Sequence, residues 1–167
     1  PWDGRISVSG DRFDGWRHHS ASRRDALHAN LGFKGDGGLE NRSYLSWTDL
    51  HFDIPTVVPK ERVYSNPQGI MGDGNTPQDQ LLNVYRRDPH RTARQLRLAN
   101  RTRWGDAALR HELGVYWQDT DDTFNNQTNY TLTRSRTTGA QWQATGQAGE
   151  ALQWRTALAW SRSRMDR

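Results

Sequence analysis

Leu109-Arg110-His111-Glu112-Leu113-Gly114-Val115-Tyr116-Trp117-Gln118 alternates apolar and polar side chains at a period of two. Leu109, Leu113, Val115 and Trp117 share one parity. Arg110, Glu112, Gly114, Tyr116 and Gln118 share the other. Successive side chains of a strand point to opposite faces, so this stretch reads as a two-faced β-strand. The same parity appears on either side of it. Leu152, Trp154, Leu158 and Trp160 oppose Gln153 and Arg155. Leu96, Leu98, Thr102 and Trp104 oppose Arg97, Arg101 and Arg103. Leu27, Ala29, Leu31 and Phe33 oppose His28, Asn30 and Gly32. Ala140, Trp142 and Ala144 oppose Gln141 and Gln143, and Ile6 and Val8 oppose Arg5, Ser7 and Ser9. Seven strands are expected, at 4–13, 24–34, 39–50, 93–104, 108–119, 135–145 and 151–162.

Composition excludes several alternatives. Only 33% of the 167 residues are apolar, against about 45–50% in ordinary globular chains. Eight Trp, five Tyr and four Phe nevertheless make the chain too aromatic for a disordered one. No apolar run is long enough for a transmembrane helix, and no signal sequence is visible. The opening at Pro1 and the close at Arg167 suggest a piece of a longer chain. With no Cys there are no disulfides, thiolate metal sites or Cys nucleophiles. The net charge of +4 admits an anionic partner without naming one.

Strand length and loop layout give the class. A strand tilted by about 45° needs roughly 9–11 residues to cross a bilayer, and most of these segments are that long. Gly35-Asp36-Gly37-Gly38, Gly105-Asp106-Ala107 and Gly146-Gln147-Ala148-Gly149 are short turns. The links 14–23, 51–92 and 120–134 between them are long. The 51–92 link holds five of the six Pro residues, the turn-rich run Met71–Pro77 and a short helix expected near 77–84. Short turns at one end and long loops at the other are the layout of outer-membrane barrels. The expected fold is all-β: an antiparallel up-and-down transmembrane β-barrel segment of about seven long strands, with short periplasmic turns and long extracellular loops. Apolar side chains would face lipid and polar ones the lumen. Trp47, Trp104, Trp117, Trp142, Trp154 and Trp160 would supply interfacial girdles. A secreted β-sandwich binding module and a passive porin-like channel segment stay open as alternatives.

Asp11-Arg12-Phe13-Asp14-Gly15-Trp16-Arg17-His18-His19-Ser20 resembles an early strand end and loop of TonB-dependent outer-membrane receptors. Arg42-Ser43-Tyr44-Leu45-Ser46-Trp47-Thr48-Asp49, followed by Phe52 and Pro55, is similar to the next upward strand and loop of that family. The family often has Pro-Gly there; here Thr56 follows Pro55. Gly139-Ala140-Gln141-Trp142 fits a later barrel strand. The resemblance covers nearly the whole chain, through the order and spacing of motifs that are individually weak. It implies a 22-stranded barrel around an N-terminal plug in the outer membrane of a Gram-negative bacterium. The partners it implies are a ferric siderophore or other metal chelate, outer-membrane lipid, and the TonB–ExbB–ExbD complex acting through a plug this stretch does not contain.

Candidate ligand-binding residues follow from position. Trp16, Arg17 and His18 lie in a loop at the barrel mouth. Arg94 and Arg97 would steer an anionic chelate from the lumen side near the outer mouth, and Tyr116 and Gln118 would hydrogen-bond a ligand near the rim. Arg101 and Arg103 sit nearer the periplasmic end, where pairing with a carboxylate such as Glu112 is expected. His18 and His19 point to opposite sides if extended, so the pair is read as no metal site. Asp119-Thr120-Asp121-Asp122 lacks the Gly and distal Glu of a Ca²⁺ loop and is read as solvated. Asp73-Gly74-Asn75 is read as a turn. The sequons at Asn41 and Asn100 fall inside strands. No catalytic motif and no cofactor site is recognised. Arginines are spread over every strand, opposite most aromatics, which argues against nucleic-acid binding.

Overall fold

A computed structural model of the protein describes residues 1–167 except 73, 75, 150 and 151. Seven antiparallel strands form one open up-and-down sheet. They are β1 (Trp2–Phe13), β2 (Ser22–Lys34), β3 (Glu40–Asp53), β4 (His90–Gly105), β5 (Leu109–Asn125), β6 (Tyr130–Ala148) and β7 (Leu152–Asp166). Each pairs with its sequence neighbours in the order β1 to β7, so β1 and β7 are bare edges.

The register sorts side chains into the two faces that the alternation implies. On one face lie Ile6, Val8, Leu27, Leu31, Leu45, Trp47, Leu96, Leu98, Val115, Trp117, Trp142, Leu158 and Trp160. Many are open to the surroundings: Ile6 and Val8 are each 75% exposed and Leu158 68%. Only Ala26, Ile70, Val84 and Ala144 form a buried apolar core among the described residues. The apolar face therefore packs against nothing within this chain.

Its borders are sharp. Trp2 meets Phe33 at 4.8 Å with the rings tilted by 45°, and Trp104, His111 and Trp142 stack in sequence at 5.2 and 5.7 Å, near the turn end. Toward the loop end the same face becomes ionic within one side-chain step. Leu27 gives way to Asp25, Trp47 to Asp49, Leu96 to Arg94, Trp117 to Asp119 and Trp160 to Arg162. This border does not follow the pairing register. Trp47 and Leu96 are paired below Asp49 and Arg94, but the register carries Leu96 across to Asp119, already ionic, and on to Arg136 and Arg164. The turn-end border drifts in the same sense, from Trp2 and Phe33 to Leu109 and Leu152. The apolar band thus cuts obliquely across the pairing register.

Several boundaries differ from the sequence reading. The expected long loop at 120–134 is a hairpin, because β5 runs to Asn125 and β6 starts at Tyr130. Asn126 closes it, with its side-chain oxygen accepting from the amides of Thr128 (2.8 Å) and Asn129 (2.6 Å). Asp119–Asp122 is accordingly strand, not solvated loop. Both faces are polar there, which erases the alternation that marks a strand. The 51–92 link narrows to 54–89, since β3 and β4 extend and Ile54 N–H donates to Pro89 O at 2.8 Å. The single helix expected at 77–84 is two short ones, α1 (Pro77–Leu81) and α2 (Val84–Arg87). Asn83 interrupts them by capping α2, accepting from Arg86 N–H at 2.9 Å. The start of the seventh strand at 151 and the turn read at Asp73-Gly74-Asn75 involve positions outside the described residues.

The turn between β4 and β5 is pinned by Asp106. Its Oδ1 accepts from Ala108 N–H at 2.8 Å and Leu109 N–H at 3.0 Å. Those bonds, Leu109's foremost, hold the Asp106 carboxyl below its ordinary value. A depressed carboxylate adds stability that is complete above the ordinary value of 3.8 and is lost as pH falls through the lower folded value. Asp106→Ala should raise amide exchange at 108 and 109 severalfold at neutral pH. Asp106→Asn should keep most of the protection and lose its acid sensitivity, as read by hydrogen exchange in detergent micelles.

Candidate functional site

The polar face carries a continuous row of hydrogen-bonding side chains. The register sets His28 opposite Ser46, Ser46 opposite Arg97, Arg97 opposite Gln118, Gln118 opposite Thr137 and Thr137 opposite Ser163. Ser46 and His28 are bonded at 2.9 Å, as are Thr137 and Ser163. Gln118 makes no side-chain hydrogen bond among the described residues, so its amide is free for a ligand. The exposed Arg97 guanidinium sits 5.4 Å from the Tyr116 ring centroid and makes no ion pair among the described residues. Tyr116 lies flat over Gly139, where an added Cβ would fall 2.5 Å from the ring. Only glycine opposite Tyr116 permits that orientation. Of the seven residues singled out from sequence, the structure thus brings together Arg97, Tyr116 and Gln118. His28, Ser46, Thr137 and Ser163 were missed, although their parity was available to the same count.

Arg94 is a correction. It lies on the apolar-parity face, not with Arg97, because three positions along a strand reverse the face. There it bonds Asp49 at 3.1 Å. It belongs to a belt of ion pairs above the apolar band: Arg12–Asp25 (2.9 Å), Arg136–Asp119 (3.1 Å) and Arg134–Asp121 (3.5 Å). Arg103 meets Glu112 at 2.5 Å, as the sequence suggests. On the polar face Arg91 holds Asp122 through two bonds of 3.0 and 2.6 Å. That contact keeps the Asp122 carboxyl below its ordinary value. The sequon residues Asn41 and Asn100 bond each other at 3.1 Å, and Thr102 and Ser43 complete that cluster, leaving no orphaned amide on the apolar face.

Trp16, Arg17 and His18 stand apart from this row, in the loop 14–21. Arg17 is a clamp. Its guanidinium donates to the carbonyls of Thr56 (2.7 Å), Gly69 (2.7 Å) and Pro55 (3.4 Å). His18 N–H donates to Gln68 O at 3.1 Å. Most of the Arg17 donors are therefore spent on fastening loop 54–89 to loop 14–21. Trp16, 61% exposed, remains open at the surface.

No family model, curated protein or solved structure matches this chain.

Arg17→Ala should loosen loop 54–89 and speed its cleavage by proteinase K severalfold. Arg17→Lys should restore little, because a single ammonium nitrogen lacks the planar fork whose two terminal nitrogens reach Thr56 on one side and Pro55 and Gly69 on the other. Limited proteolysis followed by mass mapping of the cut sites checks both.

Proposed function

We propose that the chain is a wall segment of a TonB-dependent receptor barrel in the outer membrane. The whole receptor would bind a ferric siderophore or similar nutrient chelate and import it with TonB-derived energy. The observation that carries the membrane reading is the unpartnered apolar band, bordered by aromatic rows and an ionic belt that cut obliquely across the register. A soluble sandwich would bury that band against a second sheet. In lipid, the band meets acyl chains and the ion pairs lie at headgroup level. The bare edges of β1 and β7 then require further strands, because unbonded backbone groups are not tolerated in hydrocarbon.

Support for import comes from the opposite face and from the motifs that resemble the receptor family. Arg97 is a cation without a carboxylate partner among the described residues, next to Tyr116 and Gln118. Facing a lumen, this group would draw an anionic chelate inward and hydrogen-bond it. The work is capture and gated passage, with energy reaching the plug from the TonB–ExbB–ExbD complex, and no covalent chemistry is asked of these residues.

Two measurements test the reading. Leu98→Arg, in the middle of the band, should cost about 2–4 kcal/mol of unfolding free energy in phospholipid vesicles. Gln141→Arg, on the polar face, should change it by about 0.5 kcal/mol or less. Equal effects would remove the membrane assignment. Uptake of labelled ferric siderophores should fall when the gene is deleted and when the proton-motive force is collapsed. Uptake that survives collapse points to a passive channel, and uptake indifferent to deletion contradicts import altogether.

A further inference from the structure

At the loop end, three segments distant in sequence converge on a group of histidines and carboxylates. His19 comes from loop 14–21, Asp53 ends β3, and Asp88 follows α2 just before β4. One ligand atom from each lies within 4.8 Å of the other two. Two backbone bonds fix this convergence: Asp53 N–H to Ala21 O at 2.9 Å and Ile54 N–H to Pro89 O at 2.8 Å. His19 and Asp88 both have positive φ, 54° and 47°, a conformation uncommon outside glycine.

The carboxylates are positioned by two further imidazoles. His51 Nε2 is 3.0 Å from Asp53 Oδ1, and His90 Nδ1 lies 2.6 Å from the Asp88 backbone carbonyl and 3.3 Å from its Oδ2. The His51 and His90 rings stack at 5.6 Å. No Lys or Arg pairs with Asp53 or Asp88 among the described residues. That is unlike Asp25, Asp49, Asp119, Asp121 and Asp122, each of which has an arginine. Two anionic carboxylates are thus gathered around a mostly buried imidazole with nothing to neutralise them but histidine.

We propose that His19, Asp53 and Asp88 bind a divalent transition-metal ion at the rim, with His51 and His90 as positioning residues. One nitrogen and two oxygen donors suit a borderline cation such as Zn²⁺, and two carboxylates balance its charge. The outer imidazoles are placed as a second shell orienting ligating carboxylates. On binding, His19 Nε2 exchanges its 3.0 Å contact with Pro89 O for the metal, and the three ligands close by a fraction of their present separation. The site is independent of the import reading, since it lies away from Arg97 and would bind metal whatever the barrel transports.

Zn²⁺ titration of the purified protein, in competition with a chromogenic chelator, tests this. One equivalent should bind with micromolar or tighter affinity. Asp53→Asn and His19→Ala should each weaken it tenfold or more, and Asp88→Asn supplies a near-isosteric check should His19→Ala disturb the loop. Asp36→Asn, in the turn between β2 and β3, should leave binding unchanged. Absence of stoichiometric binding, or binding that persists in both Asp53→Asn and Asp88→Asn, overturns the proposal.

Discussion

Every backbone donor and acceptor of an extended strand needs a partner, and the sheet of this protein meets that need only between neighbours. β2 to β6 are bonded on both sides, while β1 and β7 are bonded on one. The strands are long, up to the 19 residues of β6, so the ladders hold the sheet together where packing does not. Hardly any core exists to do so. Side chains are consequently free to be sorted by what each face meets rather than by how they pack against one another. The sheet displays that sorting strand after strand, with apolar groups on one side, amides, hydroxyls and arginines on the other, and polar or charged groups on both sides toward the loop end.

That sorting explains which parts of the fold were legible in the sequence. Where one face is apolar and the other polar, alternation is visible, and six of the seven strands are read from it. Above Trp117 and below Tyr130 the apolar face turns ionic while the opposite face stays polar. Asp119, Asp121, Arg134 and Arg136 then look like loop residues although they are cross-strand pairs. The ends of the longest hairpin were invisible for this reason. Arg94 lies near the same strand end as Arg97, but their separation of three along β4 puts the two on opposite faces.

The candidate sites show a different limit. Arg97, Tyr116 and Gln118 lie on adjacent strands, so parity and approximate register brought them within reach. The rim group could not be read that way. His19, Asp53 and Asp88 meet because β3 and β4 pair as far as Asp53 and His90 and loop 14–21 is bonded back to that end at Ala21. Nothing in their spacing announces this. Nor does any spacing announce the clamp itself, in which most donors of Arg17 are committed to carbonyls of loop 54–89.

The orientation of the two faces can be measured directly, because the chain has no native Cys. Single Cys substitutions from 109 to 119, each carrying a nitroxide, can be scanned in lipid bilayers for collisions with oxygen and with a water-soluble nickel complex. The apolar face should give high oxygen and low nickel accessibility at 109, 113, 115 and 117. The reverse is expected at 110, 112, 114, 116 and 118, with the oxygen preference ending at Asp119. Odd positions shielded from both reagents would mean a protein core rather than lipid, and loss of the two-residue period would contradict the two-faced wall itself.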